Sequence, residues 1–162
     1  MLKTGAMNAS TEEPLVAKSF NYNFKIKELD GTVINFKDFK GKTIFLNVWT
    51  TWCGPCRIEM PSIQKLYDKV DKEKIVFIML AVDERNHFER VVNFVKEMEY
   101  SFPVYVPHEY LPEQLMVRTI PTTFVINSDG KIAAQEIGAA NYDTDEFKTF
   151  LEQLTEEPEL KE

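Results

Sequence analysis

Two segments of the chain, residues 42–49 and 75–82, are almost continuously apolar and rich in β-branched or aromatic side chains. Runs of this length and composition are typical of strands that are covered on both faces of a sheet. Asn47 is the polar exception within the first run. A shorter apolar segment at 102–106, which prolines border, predicts a third strand. These segments predict the centre of a buried sheet.

Apolar residues recur at helical spacing in three further segments, and each of these predicts an amphipathic helix. The first helix is expected over about 54–68, with Pro61 inside it, where proline should introduce a kink. The predicted N-terminal cap pairs of the second and third helices are Asn86 with Glu89 and Asp143 with Glu146. The predicted buried stripes are Ile63, Leu66, Tyr67 and Val70; Phe88, Val91, Val92, Val95 and Met98; and Phe147, Phe150, Leu151 and Leu154.

Alternating apolar positions predict two hairpins. The first spans about 22–36 and turns at Asp30-Gly31. The second joins 122–126 to 131–137 through the turn Ser128-Asp129-Gly130. Residues 111–117 leave room for a brief helix only.

The predicted order is hairpin, strand, helix, strand, helix, strand, hairpin, helix. Strands that alternate with helices imply right-handed crossovers and a central parallel sheet with an antiparallel edge. We therefore predict an α/β fold, a mixed sheet with helices on both faces. Residues 1–14 and 155–162 are polar and aperiodic and are predicted to be flexible tails around one domain at 15–154, the second of them acidic.

Composition and charge disfavour some classes of function. The chain has 162 residues and a formal charge of −7, which disfavours a nucleic acid or an anionic membrane surface as the main partner. Its longest apolar run has eight residues, far short of the roughly 20 that cross a bilayer. The N-terminus lacks the apolar core of a signal peptide. We therefore expect a soluble domain, although two cysteines alone do not identify its compartment.

The candidate chemistry lies in the sequence Trp52-Cys53-Gly54-Pro55-Cys56, where a buried strand gives way to a helix. Unpaired N–H groups of the first helical turn favour a Cys53 thiolate, the nucleophilic form of the side chain. Pro55 suits the first turn because its missing N–H would be unpaired there. Cys56 lies one turn along, within disulfide reach of Cys53, and is the natural resolving thiol.

A second signal is Ile120-Pro121 directly before a predicted buried strand. Proline cannot donate to a strand ladder, so Pro121 should stand at the start of that strand. We predict a cis peptide bond here. The backbone of Ile120 would then face outward, where an extended substrate could pair with it.

These features together resemble the thioredoxin superfamily. The stretch LDGTVINFKDFKGKTIFLNVWTTWCGPCRIEMP, the helix and strand after it, and TTFVINSDGKI resemble its TlpA-like and ResA-like branch of thiol-disulfide oxidoreductases. The resemblance covers about residues 20–154. It implies a thioredoxin-like fold with an N-terminal β-hairpin and a strand-helix insertion, a cis Pro121, Cys53 as attacking thiol and Cys56 as resolving thiol.

The resemblance also carries expectations about site and setting. Trp52, Gly54, Pro55, Ile120 and Pro121 would contact substrate, and no cofactor is expected. The partners would be protein disulfides, with apocytochrome c as one family-level candidate, and an upstream thiol donor. The resemblance implies a reducing role in the periplasm or cell envelope and leaves open a longer precursor tethered to a membrane. We expect a monomer.

Two positions depart from ordinary thioredoxins. The buried Asp that usually stands six residues before the first cysteine is Asn47 here, and an amide exchanges no proton near neutral pH. Glu59, three residues after Cys56, matches a glutamate that the branch often carries. Burial beside thiols would raise its pKa toward neutrality and suit it to accept a proton from Cys56.

Two alternative functions stay open at this level. The same thiols could deliver copper with one histidine as a further ligand. A cytosolic protein resembling tryparedoxin would keep the chemistry and change the compartment. A zinc site is disfavoured because His87 and His108 are not spaced as further ligands, and a peroxidase lacks its expected proline at Leu46.

Overall fold

A computed structural model of the chain describes residues 7–9 and 18–156. Its strands are β1 (Met7–Asn8), β2 (Lys25–Glu28), β3 (Val33–Asn35), β4 (Thr43–Trp49), β5 (Ile75–Ala81), β6 (Val104–Pro107), β7 (Thr122–Ile126), β8 (Ile132–Ile137) and β9 (Ala140–Asn141). Its α-helices are α1 (Gly54–Lys69), α2 (Phe88–Met98) and α3 (Asp145–Glu156). Short 3-10 helices span Phe36–Phe39, Arg85–His87 and Glu113–Leu115. The predicted element order is confirmed.

The main sheet has the strand order β3-β2-β6-β5-β4-β7-β8. Strands β4, β5 and β6 run parallel to one another, and the other pairings in this sheet are antiparallel. The predicted mixed α/β sheet is therefore confirmed. Because β4 and β5 are parallel neighbours, their carboxyl ends and the loops after them lie at the same sheet edge. Cys53 and Cys56 follow β4 at that edge.

Alternation along the strands divides the core between the two faces of the sheet. Phe45 and Phe77 point to one face, where they stack with ring centroids 4.6 Å apart. The buried residues of α1, α2 and α3 all belong to this face. The opposite face, around Ile44 and Ile78, is covered by aromatic residues of 20–36 and by Leu115. Helical segments thus lie on both faces as predicted, but the second face has 3-10 helices and an N-terminal aromatic segment instead of an α-helix.

Both predicted helix cap pairs are wrong. Asn86 belongs to the 3-10 turn Arg85–His87, and α2 starts after it with His87 at the N-cap position and no side-chain cap hydrogen bond. At α3, the N–H of Phe147 donates to Thr144 Oγ1 over 3.0 Å, so Thr144 is the cap. Asp143 instead pairs with Lys69 Nζ at 2.6 Å. Each prediction placed the cap one residue too early.

Some described residues outside the predicted domain bounds of 15–154 also take part in secondary structure. Met7–Asn8, inside the segment predicted as a tail, pair in parallel with Ala140–Asn141. Helix α3 runs to Glu156, past the predicted domain end at 154. The rest of both predicted tails, 1–6, 10–14 and 157–162, lies outside the described residues. Within 7–9 and 18–156, no helix has the length and apolar character that spanning a bilayer requires.

Candidate active site

Cys53 occupies the junction of β4 and α1. It is the N-cap residue of α1, and its Sγ accepts the backbone N–H of Cys56 at 3.2 Å. Its carbonyl accepts the N–H of Arg57 and begins the helical hydrogen-bond ladder. Pro55 lies in the first turn, as the sequence predicts. The sulfur of Cys53 is therefore placed where the helix offers its unpaired donors and its positive end.

Cys53 and Cys56 form a disulfide, with their Cα atoms 5.3 Å apart. Cys53 retains 5% of its surface accessible to solvent, whereas Cys56 has none. The predicted proximity of the two thiols is confirmed. A partner that approaches from solvent can reach Cys53 first.

The Ile120-Pro121 segment lies directly against Cys53. The carbonyl oxygen of Ile120 is 3.8 Å from Cys53 Sγ, and the peptide bond between Ile120 and Pro121 is cis, as predicted. Pro121 immediately precedes β7, which is the neighbour of β4 in the sheet. Two segments 67 residues apart thus form one surface around the sulfur.

Glu59 lies on α1 one turn beyond Cys56, on the same side of the helix. Its side chain is 2% exposed, and its Oε2 accepts a hydrogen bond from Asn47 Nδ2 at 2.8 Å. Burial raises the pKa of Glu59 to about 8; the Asn47 amide and the Ala140 backbone N–H oppose that rise. Glu59 is therefore protonated at neutral pH and can ionise a little above it.

A buried polar network fixes Glu59. The Asn47 amide also donates to Thr123 Oγ1 at 2.8 Å, which connects Glu59 to β7. Ser62 Oγ donates to the Glu59 carbonyl at 2.7 Å and accepts the Tyr142 N–H at 3.0 Å. Asn47 therefore serves as a hydrogen-bond donor where a thioredoxin-like aspartate would titrate.

The loop before the cysteines is anchored by a residue that sequence analysis missed. Both the backbone N–H and the hydroxyl of Thr51 donate to the carboxylate of Asp83, the hydroxyl over 2.6 Å. Asp83 follows β5 and Thr51 follows β4, so this contact joins the residues that come after the two neighbouring strands. A carboxylate directly after a buried parallel strand is the sequence signal that could have found it. Next to this anchor, the Trp52 side chain is 64% exposed, and Gly54 and Pro55 are exposed as well.

The two histidines lie away from the thiols. His87 stands at the N-cap position of α2 without a side-chain cap hydrogen bond, and His108 lines a separate cavity with Glu109. Within the described parts of the chain, no three or more His, Cys, Asp or Glu side chains are grouped to hold a metal ion. The copper-delivery alternative therefore finds no third ligand among those residues.

Comparison with known proteins connects this geometry to a family. Residues 15–154 match the Redoxin family. The chain is 37% identical to the thiol-disulfide oxidoreductase ResA of Bacillus cereus over 147 residues, 90% of this chain and 83% of the relative. It is 33% identical to the sporulation thiol-disulfide oxidoreductase A of Bacillus subtilis over 137 residues, 83% of this chain and 79% of the relative.

Solved structures agree with the sequence relatives. The crystal structure of StoA from Bacillus subtilis superposes with a TM-score of 0.65 and 28% identity, covering 78% of this chain and 94% of that one. The fold alone is shared with a thiol:disulfide interchange protein from Chlorobium tepidum, at a TM-score of 0.70 and 22% identity, over 86% of this chain and 99% of that one. The chain thus belongs to the Redoxin family, within the ResA-like branch of thioredoxin-like proteins, as a thiol-disulfide oxidoreductase that acts through Cys53 and Cys56.

Proposed function

We propose that the protein reduces disulfides in other proteins, with Cys53 as the attacking thiol and Cys56 as the resolving thiol. The observation that carries this assignment is the asymmetry of the pair. The sulfur of Cys53 is partly accessible and receives an N–H of the first turn of α1, whereas that of Cys56 is enclosed. The helix terminus favours a thiolate at the first position.

The exchange proceeds in two balanced steps. The Cys53 thiolate attacks one sulfur of a partner disulfide, the partner's S–S bond breaks, and the other partner sulfur leaves as a thiolate. Cys56 then loses its proton and attacks Cys53 Sγ, which releases the second partner sulfur. Two electrons pass to the partner, and the Cys53–Cys56 disulfide is left. An upstream dithiol must reduce that disulfide before the next cycle.

Glu59 is the proposed proton acceptor for Cys56. Resolution requires a thiol proton to leave an enclosed position. Glu59 lies one helical turn away and, with a pKa near 8, accepts and returns a proton in the range where thiols titrate. Asn47 holds the carboxyl oriented without competing for that proton.

We expect Glu59→Gln to slow resolution by Cys56 by roughly 100-fold, the lower end of the range for general acid–base groups. The amide is close in shape to the acid but accepts no proton. Stopped-flow measurement of mixed-disulfide decay from pH 5 to 9 tests this, with Glu146→Gln on an exposed site of α3 as the charge-matched control. A Glu59→Gln variant with the same pH profile as the unaltered protein would remove Glu59 from the mechanism.

The substrate surface is proposed to combine the Ile120 backbone with the exposed Trp52, Gly54 and Pro55. Their arrangement around Cys53 suits an extended polypeptide segment that pairs with the main chain next to Pro121. The ResA-like resemblance supports a place of action outside the cytoplasm. A monomer suffices for the exchange, since Cys53, Cys56 and Glu59 come from one chain.

The reducing direction has its own test. Thioredoxin-like reductants have potentials near about −270 mV and strong oxidants near about −120 mV, a difference of about 7 kcal/mol for two electrons. We expect the Cys53–Cys56 couple to lie on the reducing side. Equilibration with dithiothreitol buffers, followed by tryptophan fluorescence and alkylation, measures it. A potential above about −180 mV, that of disulfide isomerases, would make the protein an oxidant and overturn the assignment.

A further inference from the structure

An open cleft of about 520 Å³ lies beside the cysteine pair, between α1 and α2. Thr51 and Trp52, the two residues before Cys53, form one wall. Arg57 from α1 and Arg90 from α2 contribute two guanidinium groups. We call this the basic cleft; its remaining lining residues are Asn93, Phe94 and Glu97.

Arg57 is held in a position that leaves its donors available. Its guanidinium carbon lies 5.0 Å from the centre of the Phe94 ring. A guanidinium on an aromatic face keeps its N–H groups in the plane of the fork, free to bind a carboxylate in a bidentate manner. Arg57 thus presents a preorganised donor set one residue beyond Cys56.

The position of Arg57 is unfavourable for the helix itself. The N-terminal turn of a helix favours anionic side chains and disfavours cations. In α1 that turn has no acidic residue and contains Arg57. A cation at this position adds to the positive end of the helix and strengthens attraction for an anion that approaches Cys53.

The two arginines are not neutralised locally. Among the residues that the structure describes, neither Arg57 nor Arg90 has a hydrogen bond or ion pair with an acidic side chain. Glu97 supplies one carboxylate to the lining against two guanidinium groups. In a chain with 26 acidic and 19 basic residues, a basic cleft beside the reactive sulfur is a local reversal of charge.

We propose that the basic cleft is an anion subsite of the exchange site, which binds a carboxylate that the disulfide partner carries close to its reactive cysteine. This inference rests on the proposed function and specifies its substrate class. Arg57 lies four residues after Cys53 along α1, which is about 6 Å of helix rise. Because a residue of extended chain spans about 3.3 Å, an acidic side chain one to three residues from the partner cysteine reaches the cleft.

Two small chromogenic disulfides separate charge recognition from thiol reactivity. 5,5′-Dithiobis(2-nitrobenzoate) carries a carboxylate on each ring, and 2,2′-dithiodipyridine is uncharged; both are attacked by the Cys53 thiolate with release of a coloured thiol. We expect Arg90→Gln in the reduced full chain to slow the anionic probe about threefold at low salt and leave the neutral probe unchanged, as one exposed charge contact implies. Lys65→Gln, which removes an exposed cation farther along α1, is the control.

Peptides extend the test to the proposed substrate class. Disulfide-linked peptides with Glu two residues after the cysteine should react about threefold faster than their Gln counterparts. The preference should shrink in Arg90→Gln, which leaves Arg57 in place, and disappear at about 1 M salt, where the screening length falls to about 3 Å. An unchanged ratio of the two probes in Arg90→Gln, or an equal change in Lys65→Gln, would overturn the subsite. Loss of reaction with the neutral probe in the unaltered protein would instead overturn the proposed function.

Discussion

Cys56→Ser is expected to turn the protein from a catalyst into a trap. Serine has no thiol with which to attack Cys53 Sγ, so the mixed disulfide with the partner persists after the first step. Turnover in an insulin-reduction assay should fall by at least about 100-fold, whereas alkylation of Cys53 at pH 7 should stay fast, because Cys53 remains at the helix terminus. The enclosed position of Cys56 allows this small substitution without a change at the surface.

The trap also identifies partners. Expressed in the native organism, Cys56→Ser should carry other proteins as disulfide-linked complexes that dithiothreitol releases and mass spectrometry identifies. Cys53→Ser, with the other thiol left in place, is the matched control and should hold none, since Cys56 is not accessible to them. If Cys53→Ser trapped the same proteins, or if Cys53 reacted no faster than a free cysteine, the assigned roles of the two thiols would be wrong.

The redox pair was predictable because its determinants are local. Cys53 and Cys56 have two residues between them, the strand before them is apolar except for Thr43 and Asn47, and Pro55 suits the first turn of α1. Helical geometry then fixes both sulfurs and places Glu59 on the same side. The contact between Ile120 and Cys53 spans 67 residues, and sequence pointed to it through the resemblance to a known fold.

The hydrogen bonds that hold the segments around the cysteine pair were not predictable, because they depend on which elements are neighbours in the fold. Asp83 anchors Thr51 only because β4 and β5 are parallel neighbours that end together. Ser62 reaches Tyr142 across 80 residues. Periodicity indicates which apolar residues share one face of an element, but it does not indicate which polar side chains come into contact at the end of a sheet.

The residues that cover the second face of the sheet were likewise not predictable from periodicity. Alternation from Tyr22 predicts that the first hairpin starts there, yet Tyr22 and Phe24 lie before β2 and pack on Phe36, with the Phe24 and Phe36 rings stacked at 4.5 Å. Their burial makes an α-helix on that face unnecessary. The three α-helices pack on the face that holds Asn47 and Glu59, and they shield the hydrogen bond between these two side chains from water.

Glu59→Gln is expected to stabilise the oxidised protein above neutral pH and to flatten its pH dependence. Glu59 ionises near pH 8 in the folded chain and near 4.5 when unfolded. Because the unfolded state loses this proton first, the contribution of Glu59 to stability is constant below about pH 4.5, falls as pH rises to about 8, and is constant again above that. At about 1.4 kcal/mol for each unit of pKa, the loss is on the order of 5 kcal/mol.

Urea unfolding of the oxidised protein at intervals from pH 4 to 9 measures this loss. The free energy of unfolding should be similar for Glu59→Gln and the unaltered protein at pH 4, where both side chains are neutral, and higher for the variant by a few kcal/mol at pH 8.5. Glu146→Gln, on an exposed position of α3, should track the unaltered protein throughout. Parallel pH curves for Glu59→Gln and the unaltered protein would show that Glu59 is ionised at neutral pH in the fold. That result would also leave Glu59 too weak a base to match the pKa of a thiol, because the cost in stability and the proposed proton transfer both depend on the raised pKa that enclosure of the Glu59 carboxyl between α1 and β4 causes.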